Sequence, residues 1–395
     1  MTALGLTWDH PRGRAALEEA ARRANAGRPA PLIRWDAQPL EGFESAPIAD
    51  LAARYDLLVI DHPHVGEAVA EGCLVPLEEL YPAPQIAHWA QRSVGPSLAS
   101  YVWDGRTWAL PLDVAAQVTA WRPDRIDRPP GTLEEVCRAA ARLPVAQSLA
   151  GPHAVLTLMS ICAGMGHAPG GQGFLPEGPA EAALEIMGRL WARRAAGSES
   201  LNPIGLLEAM AAGDIALVPL VFGYVPYAVP GPRRVCFGPP PGRAGATGRG
   251  GVLGGTGIAF SRRAATARPA PDLLAHVGGL MREETQRTLF PAFSGQPSAR
   301  AAWMDREVNI RSGEFYANTL ESTQRALIRP RFDGYIRFQT VASAKIRAAL
   351  EARERPAATL AALRALWRSA RARARGTLEQ VPPTRSLDPM SRRSS

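Results

Sequence analysis

The tripeptide Asp-His-Pro occurs twice in the first 65 residues, each time after an apolar run and before a helix-patterned segment. "TWDHPRG" (7–13) ends the run "LGLTW", and "VIDHPHVG" (59–66) ends "YDLLV". With "PLIRWDA" between them, the first hundred residues alternate short strands with helical patterns, which calls for a parallel sheet flanked by helices. "YDLLVID" is almost wholly apolar, as expected of a strand buried on both faces. Both Asp-His-Pro elements therefore fall at the carboxyl edge of a sheet and just before a helix. In open α/β sheets ligands bind at that edge, where helix N-termini offer unpaired N–H groups.

The helical spacing of Leu17, Ala20, Ala21 and Ala24 predicts an amphipathic helix from Arg14 to Ala26. A shorter helix, Val65 to Glu71, is stopped by Gly72. In "SYVWDGRTWALPLDVAAQVTAWRPD", Asp104-Gly105 marks a hairpin whose second strand runs on through "LPLD". From about 132 to 251 the pattern is mostly helical, broken by Gly/Pro-rich loops at 164–179 and 230–251, with a buried strand in "AAGDIALVPLVFGYVPYAVP". "GGVLGGTGIAFSRRA" returns to strand, helices follow to about Arg375, and 376–395 reads as a disordered polar tail.

With 395 residues, 46% of them hydrophobic, the chain is long enough for about two to three lobes with cores of their own. Its formal charge of +8 comes almost entirely from arginine, Lys345 being the one lysine, and is concentrated near the C-terminus. No helix-turn-helix, zinc-finger or RNA-binding pattern accompanies that charge, so nucleic acid is not expected as a partner. Cys73, Cys137, Cys162 and Cys236 are far apart, without zinc spacing, and read as small hydrophobes in a reducing compartment. The N-terminus lacks the basic and apolar regions of a secretory signal, and no run reaches the ~18 apolar residues of a membrane span. As written, the chain reads as cytoplasmic, or periplasmic only if an upstream signal has been removed. "GVLGGTG" lacks the dinucleotide-binding spacing and no GKS/T loop is present, so no cofactor is expected.

Five segments in this order, "EGCLVPLEELYP", "YVWDGRTWALPLDVAAQVTAWRPD", "MAAGDIALVP", "GGTGIAFSRRA" and "EETQRTLFPAFSGQPSARAAWMD", carry a resemblance. Together they resemble the extracellular solute-binding proteins (family 1-like) of ABC importers, with the type II periplasmic-binding-protein fold. The resemblance implies two α/β lobes clamping a ligand between them. Lobe I would be 1–112 plus 252–302 and lobe II 113–251 plus 303–375, with hinge crossings at "LPLD" and near "VLGGTGIAF".

With this architecture, Trp8, Asp9, His10, Arg12, Asp61, His62 and His64 form lobe I's half of the cleft. Tyr224 and Tyr227 contribute from lobe II, Asp113 from the first crossing, and Gly255 and Thr256 from the second. Each has a structural alternative. Asp9 and Asp61 suit helix caps, the histidines suit strand-end hydrogen bonds, and the tyrosines suit packing under their loop. Arg12 beside a helix N-terminus suits a carboxylate or phosphate.

The expected function is thus a solute-binding protein for a small anionic organic ligand. Its partner is an ABC permease or a neighbouring pathway enzyme; the chain is expected to be monomeric and not inserted in a membrane. If a protonated histidine holds the anion, affinity falls as pH rises from about 5.5 to 8. One alternative is a ferric-type metal protein using His10, Asp61, His62, His64, Tyr224 and Tyr227, although the tyrosines are separated by "VP". The other is a hydrolase- or lyase-like enzyme with a histidine base, for which no nucleophile motif is present. No catalytic residue or bound metal is assigned.

Overall fold

A computed structural model of the chain describes residues 2–171, 173–242, 250–263 and 269–374; the expected tail lies outside the described residues. Its strands are β1 Ala3–Trp8, β2 Ile33–Gln38, β3 Leu57–Ile60, β4 Leu74–Val75, β5 Val102–Trp103, β6 Arg106–Thr107, β7 Leu110–Trp121, β8 Leu217–Phe222, β9 Cys236–Gly238 and β10 Leu253–Ser261. The main sheet has the order β2-β1-β3-β10-β7-β8, with β4 beside β10 and β9 beside β7. β5 and β6 form the hairpin expected at Asp104-Gly105, and both turn residues have positive φ, 50° and 72°.

The first three strands are parallel, as their alternation with helices requires. β10 runs antiparallel to both β3 and β7, because it returns from the second lobe and enters from the opposite end. β7 is the frame of the molecule. Its first half pairs with β10 and its second half with β8 and β9, so one strand of 12 residues runs through both lobes.

On the lobe I side the helix Pro11–Asn25 turns Ala16, Leu17, Ala20 and Ala21 onto the sheet. It starts three residues before the expected Arg14, because Pro11 fits the first helical position and His10 caps it, Nδ1 accepting from Arg12 N–H at 3.1 Å. Lobe II is built on His153–Gly164, a helix buried around its whole circumference, packed among Glu177–Trp191, Tyr335–Glu351 and Pro356–Arg373. Met159, Phe174, Met187, Phe338 and Trp367 fill the space between them.

The segment just before Tyr335–Glu351 is anchored to the turn that leads into β5. Arg331 Nη1 donates to the carbonyls of Ala99, Ser100 and Val102 at 3.0, 2.9 and 2.7 Å. Gly66, in the helix Val65–Ala70, meets the same segment without clearance: a Cβ there would stand 1.5 Å from Arg331 O. We predict that Gly66→Ala lowers stability by at least about 2 kcal/mol, since backbone must move. Gly188→Ala, whose Cβ enters open space in a helix, is expected to be neutral or stabilising by up to about 1 kcal/mol. Urea unfolding of both variants checks this, and equal midpoints would contradict it.

Candidate functional site

Arg12 and Asp113, both buried, form the central contact of the candidate site. The guanidinium forks onto the carboxylate, with Nε 2.9 Å from Oδ2 and Nη2 against Oδ1, while Nη1 donates to Gly223 O at 3.1 Å. Its flat face lies 4.4 Å from the Tyr224 ring centroid. Burial alone would weaken the charge on Arg12, but the Asp113 carboxylate overrides it and raises the pKa. Gln296 completes the knot: its N–H donates to Asp113 at 3.2 Å, its amide to Val114 O at 2.9 Å, and its Oε1 accepts from Val225 N–H at 2.9 Å. Lobe I, the crossing strand β7 and the loop after β8 are thereby joined.

Beside this pair is an aromatic corner. The Trp8 and His10 rings stack at 5.2 Å, with the edge of Tyr224 5.2 Å from His10 and Phe43 6.0 Å from Trp8. The bare Cα of Gly13 makes room for Trp8, since a Cβ there would be 2.1 Å from the indole nitrogen. Tyr227, half-buried and 6.4 Å from Tyr224, donates its hydroxyl to Glu208 at 2.7 Å.

The second Asp-His-Pro element is tied to the far crossing. Asp61 accepts from His62 N–H at 2.9 Å and from Arg329 Nη2 at 2.6 Å on both oxygens. His62 Nε2 accepts from Arg329 N–H at 3.2 Å. Burial would raise the Asp61 pKa, but Arg329 and the contact with His62 hold it well below the usual carboxylate range. His64 is buried and its Nδ1 has no hydrogen-bond partner. Across the cleft, Glu44 stands 3.2 Å from His153 without an aligned hydrogen bond, and Asn202 donates to Glu41 at 3.3 Å. Trp8 Nε1, both ring nitrogens of His153 and Ser148 Oγ are also buried without partners.

No protein-family model matches the chain, and no curated protein matches it in sequence. Solved structures do match it in shape. A solute-binding protein of Agrobacterium radiobacter in complex with ribitol superposes with a TM-score of 0.78 at 18% identity, covering 93% of this chain and 98% of that one. The GacH receptor of Streptomyces glaucescens, known unliganded and in complex with acarbose, gives 0.77 at 16% identity over 95% and 99%. A solute-binding protein of Agrobacterium vitis with bound D-mannitol gives 0.74 at 13% identity over 94% and 98%. The fold is that of the ABC-transporter solute-binding proteins.

Within this solute-binding fold the residues singled out in the sequence separate into groups. Trp8, His10, Arg12, Asp113 and Tyr224 come together as one cluster, with Tyr227 at its rim. His10, and not Asp9, caps the first helix, while Asp9 is exposed and paired with Arg14. Asp61 and His62 serve the crossing as cap and anchor. Gly255, φ 110°, is required by β7, because a Cβ would lie 2.2 Å from Asp113 O; Thr256 is buried opposite Asp113. Phe43, Glu44, His153, Glu208, Gln296 and Arg329 were absent from the sequence-based set. Phe43, Glu44 and Glu208 lie 16 to 18 residues before Asp61 or Tyr224, whereas His153, Gln296 and Arg329 come from 71 or more residues away, and no local pattern marks them.

Burial lowers the pKa of His10, His62 and His64. Reinforced by Arg12, it takes His10 from 6.5 to about 4, and with Arg329 it does the same to His62. Because the folded pKa values lie below the unfolded ones, the unfolded chain binds more protons between about pH 6.5 and 4. Stability is therefore expected to be full above pH 6.5 and to fall as pH drops through that window; a Tm that rises on acidification would refute this assignment. Asp113→Asn, which strands a buried guanidinium, is expected to cost roughly 3–5 kcal/mol in denaturant unfolding. A loss under about 1 kcal/mol would mean that the pair is not the centre of the site.

Proposed function

We propose that the chain is a solute clamp for a neutral, polyhydroxylated small molecule, held between its two lobes. The observation carrying this reading is that the cationic groups central to the cleft are already neutralised. Arg12 is forked onto Asp113 and Arg329 onto Asp61, and the three cleft histidines of lobe I have lowered pKa values. Arg12 therefore offers no unpaired charge for the anion expected from its sequence position. What remains around the pair is the Trp8, His10 and Tyr224 rings, with buried hydrogen-bonding atoms that lack a partner at His64 Nδ1, Ser148 Oγ and His153 Nδ1. Rings and hydrogen-bonding groups of this kind suit a ligand with C–H faces and many hydroxyls. Ribitol, D-mannitol and acarbose in the structural neighbours support the same class.

The ferric reading is disfavoured by chemistry. Burial pushes the Tyr224 and Tyr227 phenols well above their usual range, which opposes phenolate ligation, and among the described residues no three His, Cys, Asp or Glu side chains gather as a metal site. For the enzyme reading, His62 Nε2 is committed to Arg329 N–H. Under the clamp reading the partner is an ABC permease; among the described residues no helix is long and apolar enough to cross a membrane.

A calorimetric panel of pentitols, hexitols, mono- and oligosaccharides and small carboxylic acids tests this. At least one polyhydroxylated compound is expected to bind, with an affinity that changes less than about twofold between pH 5.5 and 8 because burial lowers His10 and His62 to about 4, below that range. Binding confined to carboxylic acids, weakening steeply over that range, would restore the anion reading.

A further inference from the structure

Two pairs of arginines line one groove on lobe II. Arg138 lies in the last turn of the helix Leu133–Ala139, and Arg142 follows one turn later. Arg189 lies in the last turn of Glu177–Trp191, with Arg193 one turn beyond. The four line a cavity of about 700 Å³ whose remaining walls are Cys137, Ala139, Ala141 and Leu143. No carboxylate lines it. Arg138 has a loose contact with Glu135 at 3.7 Å, and the guanidiniums of Arg142, Arg189 and Arg193 have no ion-pair or hydrogen-bond partner among the described residues.

That pattern is unlike the arginines of the cleft, which are spent on carboxylates and carbonyls. One basic residue in the last turn of a helix is explained by the negative end of the macrodipole. Two successive ones on each of two helices, all lining one cavity, exceed that need. Four exposed guanidiniums, three of them without a paired carboxylate, repel one another, a cost relieved by a multivalent anion. Each planar fork fits two oxygens of a phosphate or carboxylate. A condensed phosphate supplies several such oxygen pairs within a small volume, which a monocarboxylate does not.

We propose that this groove is a binding site for oligophosphate groups, separate from the solute cleft and independent of its ligand. The groups come either from a free oligophosphate or from a phosphorylated lipid headgroup, which share the recognition chemistry.

The test is calorimetric titration of the full chain with tripolyphosphate at low ionic strength, repeated with vesicles containing a phosphoinositide. Saturable binding is expected, weakened more than about tenfold in the triple variant Arg142→Gln/Arg189→Gln/Arg193→Gln. Far-UV circular dichroism and the thermal midpoint verify that the variant is folded. Substitution of the same three positions by lysine, which keeps charge but removes the fork, is expected to retain part of the affinity. Vesicle binding that the triple variant loses, with none to free tripolyphosphate, supports the site and assigns its phosphate to a headgroup. The variant keeps every other arginine, those beyond residue 374 included, so undiminished tripolyphosphate binding would place the interaction outside the groove and overturn the proposal. An equal response to sodium sulfate at matched ionic strength would overturn it as general screening, as would no binding to either probe.

Discussion

The buried contact between Arg12 and Asp113 is the constraint around which the cleft is arranged. Neither charge tolerates its environment alone, and removing one partner leaves the other stranded at a cost larger than the net worth of the pair. Three pieces of chain are held in one geometry: the turn after β1, the crossing strand β7 and the loop after β8, through Gly223 O and Gln296. Tyr224 can stack on the guanidinium because that guanidinium is fixed. The aromatic corner with Trp8 and His10 follows from the same placement.

The duplicated Asp-His-Pro turns use one local geometry for two different ends. In the first, the histidine caps a helix and stacks on an indole, leaving its aspartate at the surface. In the second, aspartate caps the turn and receives Arg329, while histidine accepts that arginine's backbone N–H. Proline stands at the start of a helical turn in both. The turn is a local property of the tripeptide, whereas the role of each side chain is set by what packs on it from a distant part of the chain.

That difference decides what was legible in the sequence. β1, β2, β3 and the Asp104-Gly105 hairpin are local patterns and stand where the sequence places them, whereas the hairpin's second strand stops at Thr107 and "LPLD" opens a separate strand, β7, in the main sheet. The two-lobed architecture was readable from the order of segments. The antiparallel course of β10 was not written in its own residues, since it depends on where the chain re-enters the sheet. Side-chain chemistry was less legible. Arg12 reads as a free anion-binding group until Asp113, 101 positions on, is seen to occupy it. The histidines read as titrating groups until their burial is known. His153 and Arg329 carry no local signal at all, because their significance lies in facing Glu44 and Asp61 across the molecule.

β7 also governs how the protein can be taken apart. Leu110–Trp121 supplies the edge on which β10 rests and, farther along, the edge on which β8 and β9 rest. The lobes are therefore not modules joined by tethers, since each is completed by a different half of the same strand. Severing the chain within β7 leaves β8, β9 and β10 together on the C-terminal fragment, where β10 has lost both β3 and the first half of β7, so neither lobe is a natural unit for separate expression or grafting.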